Sequence, residues 1–437
     1  MPVTRSQKPA GRPTVQSSPL EEAPLLDSLP TNTLAFEPGP SEEDVTHMLS
    51  EEAYSFHVNT VPGITRYDGT RLPANSPCED RFMHGRFPSP WNDGREWISW
   101  GIFDGHDGWE TSELLKTKLM SFVRDSLARL NPPGRTNPIS DVHVQSAISR
   151  GFEELDNSII MSAVQATDSA EPLQDKIKKL APCHAGSCAL VSIYDPDRRM
   201  LHVACTGDSR AVFGRRDQNS EWKAIPLSTD QTGFNRSEVE MLQRVHTGEN
   251  NMVRDGRLFG LMVTRSFGDS RWKWPLGLQV DVARRFCGRM PFSSFHNYLT
   301  PPYLTARPAV VTAAIDTDTP SFLIMASDGL WDLISNEQAV YIVAKWVDSK
   351  KTTTKNSTAI PKYAPFHFGN LTEGMVCQFM ESRLTTRDEN AAVHLIRNAL
   401  GGNHHELIAS RLAFRAPYCR HVRDDMTVQV IFFNMDI

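Results

Sequence analysis

The chain has 437 residues, 40% of them apolar and 22% charged, an ordinary globular composition. Lys and Arg total 46 against 52 Asp and Glu, a net charge of −6, which gives no broad electrostatic footing for nucleic acid or an anionic membrane. No apolar run approaches the ~18 residues that span a bilayer, and the seven cysteines form no CxxC pair, so they read as reduced thiols of an intracellular protein.

In chain order, residues 1–48 read as a flexible arm, because Pro2, Pro9, Pro13, Pro19, Pro24, Pro30, Pro38 and Pro40 punctuate it. Its first charges, Arg5, Lys8 and Arg12, lie among Ser and Thr as in a mitochondrial presequence. The prolines interrupt the amphipathic helix such a signal forms, so a mitochondrial address and a plain tail on a cytoplasmic protein both stay open. Residues 49–437 read as one domain, with insertions lacking sustained periodicity near 270–300 and 350–385.

Short apolar runs predict strands at Trp97–Phe103, Cys188–Tyr194, Leu201–Cys205, Ala211–Gly214, Ser321–Ala326 and Thr427–Phe433. In the last, Val428, Val430 and Phe432 share one face, as in a half-buried strand. Thr206-Gly207-Asp208-Ser209-Arg210 suits a tight hairpin turn between its flanking strands. Leu115, Leu119, Phe122, Val123, Leu127 and Leu130 line one helical face. Further helices are predicted over 141–164, 236–246, 336–348 and 388–400, the last closed by Gly401-Gly402. Strand pairs mixed with amphipathic helices imply an α+β fold, a central antiparallel β sandwich with helices on both outer faces.

The placement of acids carries the chemistry. Asp104-Gly105-His106 and Asp328-Gly329 each follow a strand, Asp424 and Asp425 precede one, and Glu79-Asp80 lie near a fourth. One Asp-Gly after a strand is an ordinary turn. Four acidic strand ends repel one another unless a cation neutralises them. Carboxylates and carbonyls without thiolate or imidazole favour Mg²⁺ or Mn²⁺ over Zn²⁺.

The segments FDGHDG (103–108), GSCAL (186–190), TGDSRAV (206–212), TRSFGD (264–269), ASDGLWD (326–332) and RDDMT (423–427) resemble, in order, those of type 2C protein phosphatases. That resemblance implies a β sandwich with a two-metal centre at one end. Asp104 would bridge both ions and the Gly105 carbonyl would bind one. Asp328 and Asp424 would hold the other, and Glu79 and Asp80 would act through bound waters. Asp230 would be a weak third-ion ligand or a solvated loop residue, the two being about equal. Asp208 and Asp269 read as turn-fixing residues.

Two ions about 4 Å apart can share a water and bring its pKa toward neutrality, for in-line attack on phosphorus. The departing serine or threonine oxygen is a strong base, and His106 is the natural general acid, such a group contributing ~10²–10⁴-fold. Two departures stand out. Many family members carry a phosphate-binding arginine where this chain has Asn75, and asparagine at position 425, here Asp425. Asn75 can still donate to phosphate, and Arg71 is a substitute, with a surface role equally open. With TPPYLTARPAV at 300–310, both departures resemble the pyruvate dehydrogenase phosphatase branch, which implies a phosphorylated protein partner in that complex and a mitochondrial location.

Competing readings are weaker. Cys377–Arg383 has the C-x₅-R spacing of cysteine phosphatases, but it lacks their glycines and reads as helix. His404-His405 lacks a second ligand pair and reads as an exposed loop. A non-catalytic scaffold of the same fold would show loss of a metal aspartate, and Asp104, Asp328 and Asp424 are all present. A cytosolic paralogue with another phosphoprotein substrate, or a small-molecule phosphatase of the same chemistry, is separable only by substrate comparison.

Overall fold

The computed structural model describes residues 39–91, 93–130, 139–249, 251–286, 288–293, 297–351, 379–435 and 437. Its main strands in chain order are β1 (Tyr54–His57), β2 (Ile64–Leu72), β3 (Arg81–Pro88), β4 (Glu96–Phe103) and β5 (Ala189–Asp195). They continue with β6 (Met200–Thr206), β7 (Arg210–Arg216), β8 (Trp222–Pro226), β9 (Ala309–Ala314), β10 (Ser321–Ala326) and β11 (Met426–Phe433). A six-stranded sheet runs β1-β2-β11-β10-β7-β8, and a five-stranded sheet runs β9-β6-β5-β4-β3. Neighbouring strands in both are antiparallel.

The helices are α1 (Glu42–Ser50), α2 (Glu110–Ala128), α3 (Asp141–Asp168), α4 (Leu173–His184) and α5 (Arg236–Val245). After them come α6 (Leu276–Phe286), α7 (Asn336–Lys351), α8 (Ala391–Leu400) and α9 (His405–Ala413). Three apolar layers follow. Between the sheets lie Trp100, Ile102, Leu190 and Tyr194 against Phe213, Leu323, Met325, Ile431 and Phe433. Helices α2, α3 and α4 seal the outer face of the five-stranded sheet. Helices α1, α7, α8 and α9 do the same for the six-stranded one. The α+β sandwich flanked by helices is therefore the architecture.

Several expectations change. The segment 206–210 is no hairpin: β6 pairs within one sheet and β7 within the other, so Gly207-Asp208-Ser209 carries the chain across the sandwich. Gly207 allows the corner, with φ at 104° and no room for a Cβ beside the Cys188 thiol. Strand β11 is buried on both faces, not one, because helices cover the side that carries Val428, Val430 and Phe432.

Residues 42–48, read from sequence as part of the arm, are helical. Ser41 and Asp44 form a reciprocal cap that starts α1 at Glu42, and Val45 and Leu49 enter the outer core. The 270–300 segment contains α6 and contributes Trp272, Phe292 and Tyr298 to an aromatic cluster with Phe259 and Tyr303. Residues 352–378 of the second insertion, Cys377 included, lie outside the described residues, and Glu381–Arg383 is a single 3-10 turn. His404 is buried, not exposed, and its imidazole caps α9 by accepting from the Leu407 amide.

Candidate metal centre and active site

Strand pairing alone sets the acids on one rim. Arg81 pairs with Phe103, so Asp80 and Asp104 flank the same end of β3 and β4. Val428 and Arg210 both pair with Ala326, which brings Asp424, Asp425 and Asp208 beside Asp328. Carboxylate oxygens of Asp104, Asp208 and Asp328 lie within 4.8 Å of one another. Asp208, read from sequence as a turn-fixing residue, thus stands in the cluster because its turn is a corner between sheets.

The electrostatics match a cation site. Burial, then the charges of Asp328, Asp80 and Asp208, push the Asp104 carboxyl well above the usual range. Burial and neighbouring acids likewise raise Asp208 and Asp80 to about 7 and Asp328 to about 6. Asp104 Oδ2 is buried with no hydrogen-bond partner. An orphaned carboxylate oxygen among mutually repelling acids is what hard divalent ions satisfy, so the donor set fits Mg²⁺ or Mn²⁺.

The surrounding acids are held in place. Asp80 accepts from the Ser327 and Thr427 hydroxyls at 2.8 and 2.7 Å. Glu79 accepts from the Gly108 amide at 2.7 Å. Gly105 leaves no space for a Cβ, which would meet the Glu79 carbonyl at 2.4 Å. Asp424 forms an ion pair with Arg420 and accepts from the Asp425 amide at 2.6 Å. It borders Asp328, since a Cβ on Gly329 would sit 3.2 Å from the Asp424 Cβ.

His106 Nε2 is bonded to Asp269 Oδ2 at 2.7 Å. Burial works against its charge, but Asp269 and Asp208 outweigh burial and raise its pKa. Asp269 also accepts from the Ser266 hydroxyl at 2.6 Å, and its own φ is 48°. It both shapes the turn and holds the histidine.

Three sequence candidates are committed elsewhere. Both Asp230 oxygens are taken by Arg210, at 2.9 and 2.5 Å. Asn75 Nδ2 donates to Glu79 Oε2 at 3.2 Å and to Asp425 Oδ2 at 3.1 Å. Arg71 pairs with Glu52 at 2.7 Å and donates to the Asp80 carbonyl at 2.5 Å. Asp425 organises the 74–79 loop, accepting from the amides of Ala74, Asn75 (2.8 Å) and Glu79 (2.9 Å). Missed entirely were Arg420, Arg289, which pairs with Asp107, and Asp332, one turn beyond Asp328. Their positions follow from tertiary folding, and no strand-end signal marks the arginines.

Carboxylates gathered on the rim of a helix-flanked β sandwich, with a histidine beside them, define a metal-dependent protein phosphatase. The chain belongs to the protein phosphatase 2C family, whose match covers residues 73–365. A protein phosphatase 2C homolog of Schizosaccharomyces pombe is 38% identical over 403 residues, 90% of this chain and 86% of that protein. The mitochondrial pyruvate dehydrogenase [acetyl-transferring] phosphatase 1 of Saccharomyces cerevisiae is 34% identical, over 90% of this chain and 73% of its own. A serine-threonine phosphatase 2C from Toxoplasma gondii shares the fold, with a TM-score of 0.50 and 16% identity over 87% of this chain and 99% of its own. No helix among the described residues is long and apolar enough to cross a membrane.

Proposed function

We propose that this chain removes phosphate from phosphoserine or phosphothreonine in a pyruvate dehydrogenase component, inside mitochondria, with two Mg²⁺ or Mn²⁺ ions. The observation that carries the catalytic reading is the convergence of Asp104, Asp208 and Asp328 around a partnerless buried oxygen. The substrate and compartment rest on the names of the yeast relative above and of human mitochondrial pyruvate dehydrogenase phosphatase 2, 29% identical over 85% of this chain.

When bound, the ions neutralise phosphate oxygens and make a water acidic enough to attack near neutral pH. Asp104 and the Gly105 carbonyl would hold them on one side, with Asp208, Asp328 and Asp424 on the other. Glu79 and Asp80 would act through waters on the ions, and the Ser327 and Thr427 hydroxyls fix the direction of Asp80. His106 keeps a proton for the leaving oxygen. With Nε2 engaged by Asp269, Nδ1 is the nitrogen that delivers it.

The test is phosphate release by the full chain from phosphorylated pyruvate dehydrogenase and from an unrelated phosphoprotein, with Mn²⁺ or Mg²⁺ and with chelator. Release should require metal, and kcat/KM should favour pyruvate dehydrogenase by about 10-fold or more. No metal-dependent release from either substrate would end the catalytic reading. Equal rates on both would end the substrate assignment, and exclusion of the tagged chain from mitochondria would end the localisation.

A further inference from the structure

We propose that Arg420 is the guanidinium that grips the substrate phosphate in this active site, an inference that rests on the phosphatase reading above. The position where many relatives carry such an arginine holds Asn75, whose amide is spent on Glu79 and Asp425. Arg71 is tied to Glu52 and to the Asp80 carbonyl. A phosphate dianion brought to the acidic rim still needs a cationic fork, and neither residue offers one.

Arg420 has the right place and freedom. It lies on the 3-10 turn Tyr418–His421, just ahead of β11, and its Nη1 contacts Asp424 Oδ1 four residues on. Its side chain is 45% exposed. One carboxylate cannot occupy five N–H donors, so part of the fork stays open to a ligand. The same positive charge reaches the Glu79, Asp328 and Asp332 carboxyls and lowers the pKa of each relative to burial alone. The contact with Asp424, which borders Asp328, places the guanidinium on the acidic rim, where phosphate must sit. It rests on Asp424 as a surrogate cation. Arg420 is released from that carboxylate when Asp424 takes a divalent ion, and its fork can then turn to phosphate oxygens without leaving the site.

Arg289 is the competing candidate, since it too lies near Glu79. It is less exposed, at 26%, and its partner is Asp107, which is not among the clustered acids Asp104, Asp208 and Asp328. Arg289 thus stays paired in both states.

Three measurements on the full chain test the role: calorimetric titration with Mn²⁺ alone, inhibition of aryl phosphate hydrolysis by inorganic phosphate, and phosphopeptide kinetics. Arg420→Ala should weaken phosphate inhibition and raise KM for a phosphopeptide by about 10-fold or more, with a smaller loss in kcat. Its Mn²⁺ affinity should equal or exceed that of the wild type, because a competitor for Asp424 is gone. Arg420→Lys should restore only part of the phosphate affinity, since an ammonium lacks the planar fork. Unchanged phosphate inhibition and KM in Arg420→Ala would overturn the proposal, as would the same losses appearing in Arg289→Ala instead. Weakened Mn²⁺ binding in Arg420→Ala would overturn it too, because the arginine would then serve to hold Asp424. Failure of the phosphatase reading is separate and shows in the wild type, as absence of metal-dependent release.

Discussion

Replacing Lys273 by methionine should cost about 3–5 kcal/mol of folding stability, the usual result of stranding one member of a buried ion pair. Lys273 Nζ donates to Asp156 Oδ1 and Oδ2 at 2.8 and 2.7 Å, and to the Ser266 carbonyl at 2.9 Å. Asp156 and Lys273 are 7% and 9% exposed. Methionine keeps the stem's packing but offers no donor, leaving Asp156 with the Gly268 amide at 2.9 Å. Burial already raises the Asp156 carboxyl above its usual range, and Lys273 is the chief charge opposing that rise. Adding Asp156→Asn removes the stranded charge and retains an oxygen for Gly268, so the double variant should regain about 2 kcal/mol. Urea unfolding of the wild type, both single variants and the double variant completes the cycle. A cost below about 1 kcal/mol for Lys273→Met, or a double variant no more stable than Lys273→Met, would refute the reasoning. The effect should also reach turnover, because Ser266 and Asp269 lie on the segment that Lys273 anchors, and Asp269 holds His106.

Asp208→Asn should lower Mn²⁺ affinity by about 10-fold or more while leaving the metal-free protein at least as stable, because one of four repelling carboxylates is removed. Calorimetry and thermal melting read the two effects; a lower melting point with unchanged Mn²⁺ binding would return Asp208 to a turn-fixing role. His202 and His394 are buried, and burial lowers each to about 4. Their folded values lie below the unfolded ~6.5, so the unfolded chain binds more protons between those limits, and stability falls as pH drops from ~6.5 toward 4 by ~1.4 kcal/mol per unit for each histidine. His394→Gln should reduce that acid slope by one proton, and a chemical-denaturation series across pH 4–7 with an unchanged slope would contradict it.

What the sequence disclosed about the fold divides along physical lines. Strands β4, β5, β6, β10 and β11 are buried on both faces or nearly so, and their apolar runs are plain. Strand β2 (Ile64–Leu72) was missed because its interior contains Arg66 and Asp68, polar in sequence yet paired at 2.8 Å, with Asp68 also accepting from the Ala391 amide. Strand β3 was missed for the opposite reason, since much of it is partly exposed and shows no apolar alternation. Helix α4 contains Pro182 and buries little, and α6 buries only Gln279 and Val282, the latter in the core that α2, α3 and α4 share. Local pattern reports burial, and these elements owe their place to partners that local pattern cannot name.

The site obeyed the same division, one level up. An acid next to a strand is visible in sequence, which is why Asp104, Asp328, Glu79, Asp80 and Asp424 could be singled out. Whether two such acids meet depends on which sheet each strand joins. Reading 206–210 as a hairpin kept β6 and β7 in one sheet and made Asp208 a turn residue, whereas a crossover puts it opposite Asp328. The change from arginine to Asn75 shows the complementary limit. Asn75 and Asp425 looked like two separate departures, but the amide of one donates to the carboxylate of the other at 3.1 Å, so they form one interaction that closes the 74–79 loop. A loop closed in that way has no charge to spend on phosphate, and the cation the chemistry requires must come from another part of the rim.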